Sequence, residues 1–113
     1  MDGVITIELN EKLGLKRELL IDIVRVISEN PNIEKAVIFG SRAKESYRPN
    51  SDIDISVWGN NLTNTELNIL EEKLDSLNTA LMFDLLCFER LDKFELKNNI
   101  EKDGIVIYAK GKA

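Results

Sequence analysis

The stretch that decides the fold is GSRAKESYRPNSDIDI, which runs from Gly40 to Ile55. Its last part alternates acidic and apolar residues, so we expect Asp52 and Asp54 on one face of a strand and the isoleucines on the other. An apolar run precedes the stretch, and Gly40 marks the break after that run. The stretch therefore predicts two strands whose connecting loop is rich in polar and charged side chains.

Hydrophobic periodicity predicts the elements on either side of this stretch. Residues 16–29 have apolar side chains at three- and four-residue intervals, which indicates an amphipathic helix that ends before Pro31. Thr63 and Glu66 have the spacing of a capping box, which predicts the start of another helix. The predicted elements are helices over 16–29, 64–78 and 92–103, and strands over 34–39, 52–58, 81–88 and 105–108.

The run 81–88 is expected to be a central strand, because it is apolar on both faces except at Asp84. The fold class is α/β (α+β), with a small mixed sheet flanked by helices. A chain of 113 residues with 43% apolar content fits one domain over residues 1–113. Within it we expect residues 1–14 to form an edge strand or a packed N-terminal arm, and 109–113 to form a frayed tail.

Composition excludes several kinds of protein. No apolar run approaches the ~20 residues that span a bilayer, and the first residues lack the order of a signal peptide. We therefore expect a cytoplasmic protein with no membrane partner. The net charge of −5 argues against direct binding of nucleic acid. Histidine is absent, which removes the usual general base, the usual zinc ligand and every Ser-His or Cys-His nucleophile.

Acidic residues are the first candidates for a functional site. Asp52 and Asp54 on one strand face repel each other, and a divalent cation between them makes the arrangement favourable. Oxygen ligands without His or Cys select Mg²⁺ or Mn²⁺ over Zn²⁺. If the third strand lies beside this one, Asp84 adds a third carboxylate, as in two-metal sites. The alternative explanation of a charge in that apolar strand is a Lys or Arg partner.

The loop ahead of these acids is the candidate phosphate site. Gly40 and Ser41 can present backbone N–H groups and a hydroxyl to an anion. Arg42, Lys44 and Arg48 follow closely, and they could neutralise phosphates. Each feature alone has an ordinary explanation as a turn, a strand cap or a solvent-exposed surface. Together they match what a nucleoside triphosphate with Mg²⁺ requires.

These residues also carry a family resemblance. Gly40-Ser41, followed after ten residues by Asp52-Ile53-Asp54 and later by Asp84, resembles the polymerase-beta-type nucleotidyltransferase superfamily. The fuller string FGSRAKESYRPNSDIDI is similar to its small prokaryotic branch, the minimal nucleotidyltransferases encoded beside HEPN-domain proteins. The resemblance covers roughly residues 16–108.

The resemblance implies roles for individual residues. Gly40 and Ser41 would hold the triphosphate of ATP, and Arg42 would contact phosphate. The acidic residues would bind Mg²⁺, with two ions possible and Mn²⁺ as a substitute, and Asp84 would also help to deprotonate the acceptor hydroxyl. One position departs from the pattern, because Glu45 stands where many members have Gly.

The resemblance leaves more than one function open. The first is an antitoxin enzyme that moves AMP from ATP to a hydroxyl of a HEPN ribonuclease toxin encoded nearby. The second is a non-catalytic nucleotide-binding module that neutralises its partner by complex formation. A third, transfer to a small molecule, has no visible acceptor-binding segment. The aromatic residues that could belong either to the core or to an interface are Tyr47, Trp58, Phe94 and Tyr108.

Overall fold

A mixed four-stranded sheet forms the centre of the protein, as described by a computed structural model over residues 7–111. Its strands are β1 (Lys35–Phe39), β2 (Ile53–Trp58), β3 (Phe83–Cys87) and β4 (Ile105–Ala109). Their order across the sheet is β3-β2-β1-β4. Strand β1 is antiparallel to β2 and β4, while β2 and β3 are parallel. The small mixed sheet predicted from the sequence is therefore confirmed.

Helices cover both faces of this sheet. They are α1 (Ile7–Leu13), α2 (Arg17–Ser28), α3 (Asn64–Asp75) and α4 (Phe94–Asp103). A larger core unites α2 and α3 with one sheet face and includes Ile23, Ile55 and Leu74. A smaller core on the opposite face contains Val37, Phe39, Phe88 and Ile100 of α4. Within residues 7–111, no helix is long and apolar enough to cross a membrane.

The helix signals in the sequence are confirmed with small shifts at the ends. Thr63 forms the predicted capping box, because its hydroxyl accepts from the Glu66 N–H while the Glu66 carboxylate accepts from the Thr63 N–H. Helix α3 nevertheless ends at Asp75, three residues before the predicted end at 78. The Ser76 hydroxyl there donates to the Glu72 carbonyl at 2.8 Å, which competes with further helical bonding.

Residues 7–13 form a helix, so the edge strand considered for this region is wrong over that range. Residues 1–6 of the expected N-terminal arm lie outside the described part of the chain. Helix α1 ends in a Schellman motif, with Gly14 N–H donating to Glu11 O at 3.1 Å and Leu15 N–H to Asn10 O at 2.9 Å. Gly14 has a φ of +70° there, and a β-carbon would overlap the Tyr47 ring.

Strand β3 lies at an edge of the sheet, so its predicted central position is wrong. Its apolar residues on both faces have another cause, because Leu85 packs against the larger core and Leu86 against the smaller core. Asp84 is consequently exposed. The burial that a central strand would have implied for the Asp84 charge is therefore not found.

The frayed tail expected from residue 109 is wrong for its first two residues. Ala109 pairs with Lys35 at the end of β4, and Lys110 N–H donates to the Glu34 carbonyl at 2.8 Å. Residues 112 and 113 lie outside the described part of the chain. Ala109 and Lys110 are therefore hydrogen-bonded to the chain at the start of β1.

The aromatic residues divide between core and surface. Trp58 stacks on Phe88 with ring centroids 4.5 Å apart, and Lys35 Nζ lies 4.4 Å from the Trp58 ring centroid. Tyr108 is half-buried against the larger core. Phe94, at the start of α4, is 80% exposed. Trp58 and Tyr108 are thus packing residues, whereas Phe94 belongs to the surface.

Candidate functional site

Two neighbouring strands bring the acidic residues together. Asp54 on β2 and Asp84 on β3 are direct partners in the parallel pairing. Asp52 comes immediately before β2 and is exposed. The charges of Asp52 and Asp84 both act on Asp54, so the three carboxylates lie near one another. The juxtaposition expected from the sequence is therefore present.

The charges at this site are unfavourable to one another. Partial burial raises the pKa of Asp54, and the negative charges of Asp84 and Asp52 raise it further. Within residues 7–111, no Lys or Arg side chain forms an ion pair with any of the three. The alternative of a cationic partner for Asp84 is thus not found among these residues. A nearby positive charge would relieve the repulsion.

The donor set fits a hard divalent cation in its chemistry. All three groups offer carboxylate oxygens, which Mg²⁺ and Mn²⁺ prefer. In the described part of the chain, however, no three His, Cys, Asp or Glu side chains are already gathered into a metal-ligand cluster. The acids form an open group at the sheet edge.

Residue 40 must be a glycine because the Asp54 side chain lies next to its backbone. Its φ is +76°, and a β-carbon built there would overlap Asp54 Oδ2 and lie 3.3 Å from Asp54 Cγ. The cause is strand pairing, because Phe39 lies opposite Asp54 in the antiparallel register. Sequence reasoning identified Gly40 as a strand break and a phosphate-loop residue but not as a neighbour of Asp54, since the spacing between residues 40 and 54 does not reveal their contact.

Three other residues of the loop lie at or near the surface. Ser41 is half-buried, and its carbonyl accepts the Ser46 N–H at 3.0 Å. Lys44 and Arg48 are exposed. The Lys44 ammonium lies 3.9 Å from Asp103 at the end of α4. Both cations are therefore accessible to an anion that approaches the loop.

Arg42 has a different position from the one expected. Its side chain is fully buried, and all five of its N–H donors are used by backbone carbonyls. Burial lowers the pKa of Arg42, while Tyr47 and Asp52 act in the opposite direction. No N–H donor of the guanidinium therefore remains for the phosphate contact predicted from the sequence. No sequence signal could have shown this, since its partners are main-chain atoms.

Glu45 occupies a backbone conformation that favours glycine. It is the one non-glycine residue with positive φ in the described part of the chain, at 60°. A side chain costs about 1–2 kcal/mol in the left-handed region. This explains why glycine suits the position in the related pattern. The Glu45 side chain is exposed.

Replacing Glu45 with Gly should stabilise the protein by about 0.5–1 kcal/mol, because relief of the left-handed strain exceeds the entropy cost of glycine. Urea denaturation would measure the change. Glu45→Ala is the matched control, which removes the charge and keeps the strain, so it should stay near wild type. Equal stabilities for the Gly and Ala variants would contradict the role of strain.

Ser56 lies on β2 two residues after Asp54, and its buried hydroxyl has no hydrogen-bond partner among residues 7–111. An unsatisfied buried hydroxyl costs about 1–3 kcal/mol. We therefore expect Ser56→Ala to raise the free energy of unfolding by about 1 kcal/mol. The control is Ser76→Ala, which removes a satisfied hydroxyl and should not stabilise. A loss of stability in Ser56→Ala would mean that the hydroxyl is bonded in solution.

The sequence and fold together identify the family. The family model "Polymerase beta, Nucleotidyltransferase" matches residues 22–113. The chain therefore belongs to the polymerase beta nucleotidyltransferase family. Helix α1 and the first turn of α2 precede the matched region. No curated protein shows significant similarity to the chain.

Solved structures share the same fold. One is a chain of a toxin–antitoxin complex with AMP-PNP, at 24% identity and a TM-score of 0.68, covering 81% of this chain and 74% of that one. Another comes from a tri-AMPylated Shewanella oneidensis HEPN toxin in complex with an MNT antitoxin, at 21% identity and a TM-score of 0.63, covering 82% and 71%. A Sulfolobus solfataricus protein described provisionally as a nucleotidyltransferase has 24% identity and a TM-score of 0.56, covering 100% and 93%.

Proposed function

We propose that this protein is a Mg²⁺-dependent nucleotidyltransferase that moves AMP from ATP to a hydroxyl of a HEPN toxin, and so acts as an antitoxin. The observation that carries the proposal is the pairing of Asp54 with Asp84 beside the Gly40 loop. Family membership supports nucleotidyl transfer. The similar fold in a complex with an AMPylated HEPN toxin supports the choice of group and partner.

In this proposal the loop binds the phosphates of ATP and the acids bind the metal. Gly40 and Ser41 hold the triphosphate through backbone N–H groups, and the exposed Lys44 and Arg48 balance its charge. Mg²⁺, or Mn²⁺ in its place, would be held by the three acids, with two ions possible, and would supply positive charge next to the phosphates.

In this proposal the acceptor hydroxyl of the partner protein approaches Asp84. Asp84 lies on an edge strand and is exposed, so a hydroxyl from another protein can approach it. The hydroxyl oxygen forms a bond to the α-phosphorus, the bond to the β-phosphate bridging oxygen breaks, and pyrophosphate leaves. The hydroxyl proton passes to the Asp84 carboxylate.

A second candidate is a nucleotide-binding module that neutralises the toxin by complex formation alone. Two observations favour it. The described residues do not already form a closed metal-ligand cluster, and the Arg42 guanidinium has no free N–H donor for phosphate. In this case the acids would bind nucleotide or hold the loop without turnover.

A labelling experiment separates the two functions. The protein is incubated with Mg²⁺, ATP labelled on the α-phosphate, and the HEPN protein, and covalent label is measured on each chain. Transfer predicts label on the HEPN protein that is lost in Asp54→Asn and kept in the control Asp75→Asn on α3. Stable co-purification without label on either chain would favour the binding module.

A further inference from the structure

The buried Arg42 guanidinium connects two parts of the chain that are distant in sequence. Nη1 donates to the Leu13 and Gly14 carbonyls, both at 3.0 Å, where α1 ends. Nη2 donates to Pro49 O at 3.2 Å and to Ser51 O at 2.8 Å. Nε donates a further bond to Ser51 O at 3.2 Å. One side chain thus joins the α1–α2 turn to the loop ahead of β2.

The Ser51 carbonyl is the contact that matters for the site. It belongs to the same planar peptide group as the Asp52 nitrogen. Two hydrogen bonds from a rigid guanidinium fork therefore fix the orientation of the peptide that leads into Asp52. The bonds are charge-assisted and partly buried, which makes them strong and costly to lose.

Other contacts hold the same two segments together. The Tyr47 hydroxyl donates to the Glu11 carbonyl at 3.3 Å, and Gly14 packs against the Tyr47 ring. The Arg48 N–H donates to the Ser51 hydroxyl at 2.8 Å, which closes the loop on itself. The loop is therefore held against α1 at Tyr47 and at Ser51.

We infer that Arg42 is a positioning residue, which uses the α1–α2 turn as a support to fix the Ser51–Asp52 peptide and so the direction of the Asp52 carboxylate toward a divalent cation. The cation itself rests on the proposed function. Helix α1 and the turn lie before the part of the chain that matches the family. Because Arg42 bonds to the carbonyls of Leu13 and Gly14, this preceding segment supports the site in our inference.

Arg42→Lys is the variant that tests this inference, because it keeps the charge and removes the planar fork. Amide hydrogen exchange without metal should accelerate at least tenfold over residues 46–52 and little in β1. Mn²⁺ binding, measured by electron paramagnetic resonance, should weaken at least tenfold. Ile107→Val, a buried substitution in β4, controls for general loss of stability and should leave both measurements within about twofold.

Several results would overturn the inference. One is an Arg42→Lys variant whose loop exchange and Mn²⁺ affinity match those of Ile107→Val. If Arg42→Lys does not fold, the wild type still decides: the Nε–H of Arg42 should exchange with water at least tenfold more slowly than that of the exposed Arg25. Equal rates would exclude the buried guanidinium. Wild-type protein that binds no Mn²⁺ but shows slow Arg42 exchange would count against the proposed metal site, not against the Arg42 contacts, and it would remove the cation from the inference.

Discussion

Asp54→Asn is expected to reduce AMP transfer by about 10³-fold or more, the loss that follows when several kcal/mol of charge stabilisation disappear. Binding of the HEPN partner should remain, because the change affects one half-buried carboxylate at the site. The same substitution should make the metal-free protein more stable by about 1 kcal/mol, since it removes a partly buried charge that Asp84 and Asp52 also repel. Loss of function with gain of stability is an unusual combination for a buried-strand substitution.

The stability difference between Asp54→Asn and the wild type should depend on pH. The folded-state pKa of Asp54 is raised, so ionisation of Asp54 costs stability in the folded protein. That cost is fully present above the raised pKa and decreases as the pH falls through it. The stability advantage of Asp54→Asn should therefore be largest near neutral pH and vanish below the ordinary value of 3.8. Thermal melts in EDTA across this range would measure it.

Controls separate charge repulsion from general effects of removing an acid. Asp75→Asn should change neither transfer nor the dependence of stability on pH through this window. Added Mg²⁺ should raise the melting temperature of the wild type and leave that of Asp54→Asn nearly unchanged. An Asp54→Asn variant that still labels the HEPN protein at the wild-type rate would refute the assigned site.

Gly40→Ala is expected to reduce transfer at least about 100-fold, because displacing a reacting group by about 1 Å has an effect of that size. The new β-carbon would overlap Asp54 Oδ2, so the carboxylate must leave its position. Stability should fall by more than the about 1–2 kcal/mol that left-handed backbone alone costs. Urea denaturation and the labelling assay would measure the two effects.

Gly111→Ala is a matched control for this substitution. Gly111 has a φ of +81°, close to that of Gly40, but among the described residues no atom beyond its chain neighbours lies within 4 Å of a β-carbon built there. It therefore reports backbone strain without a collision. Stability losses of equal size in the two variants, with transfer intact in Gly40→Ala, would show that the position of the Asp54 carboxylate does not depend on Gly40.

Local patterns explain why much of the fold could be predicted from the sequence. Alternation predicted β2 to within one residue of its start, and the Thr63 capping box predicted the start of α3. The position of β3 was harder, because an edge strand covered by helices on both faces has the same apolar pattern as a central one.

The supports of the site could not be predicted in the same way. Arg42 bonds to main-chain carbonyls, which every residue type provides, so no pattern of side chains marks them. Gly40 and Asp54 meet through strand register, which appears only when β1 and β2 pair. The acidic residues of the site could be identified from the sequence. The roles of Arg42 and Gly40 could not, because they depend on tertiary contacts.

Trp58 provides a spectroscopic probe of the folded protein. It is the single tryptophan of the chain, and its ring stacks on Phe88 beneath the Lys35 ammonium. It lies four residues along β2 from Asp54, or about 13 Å at the usual rise of a strand. Intrinsic fluorescence therefore reports the packing of one sheet face without a label, and its emission can follow unfolding in each variant.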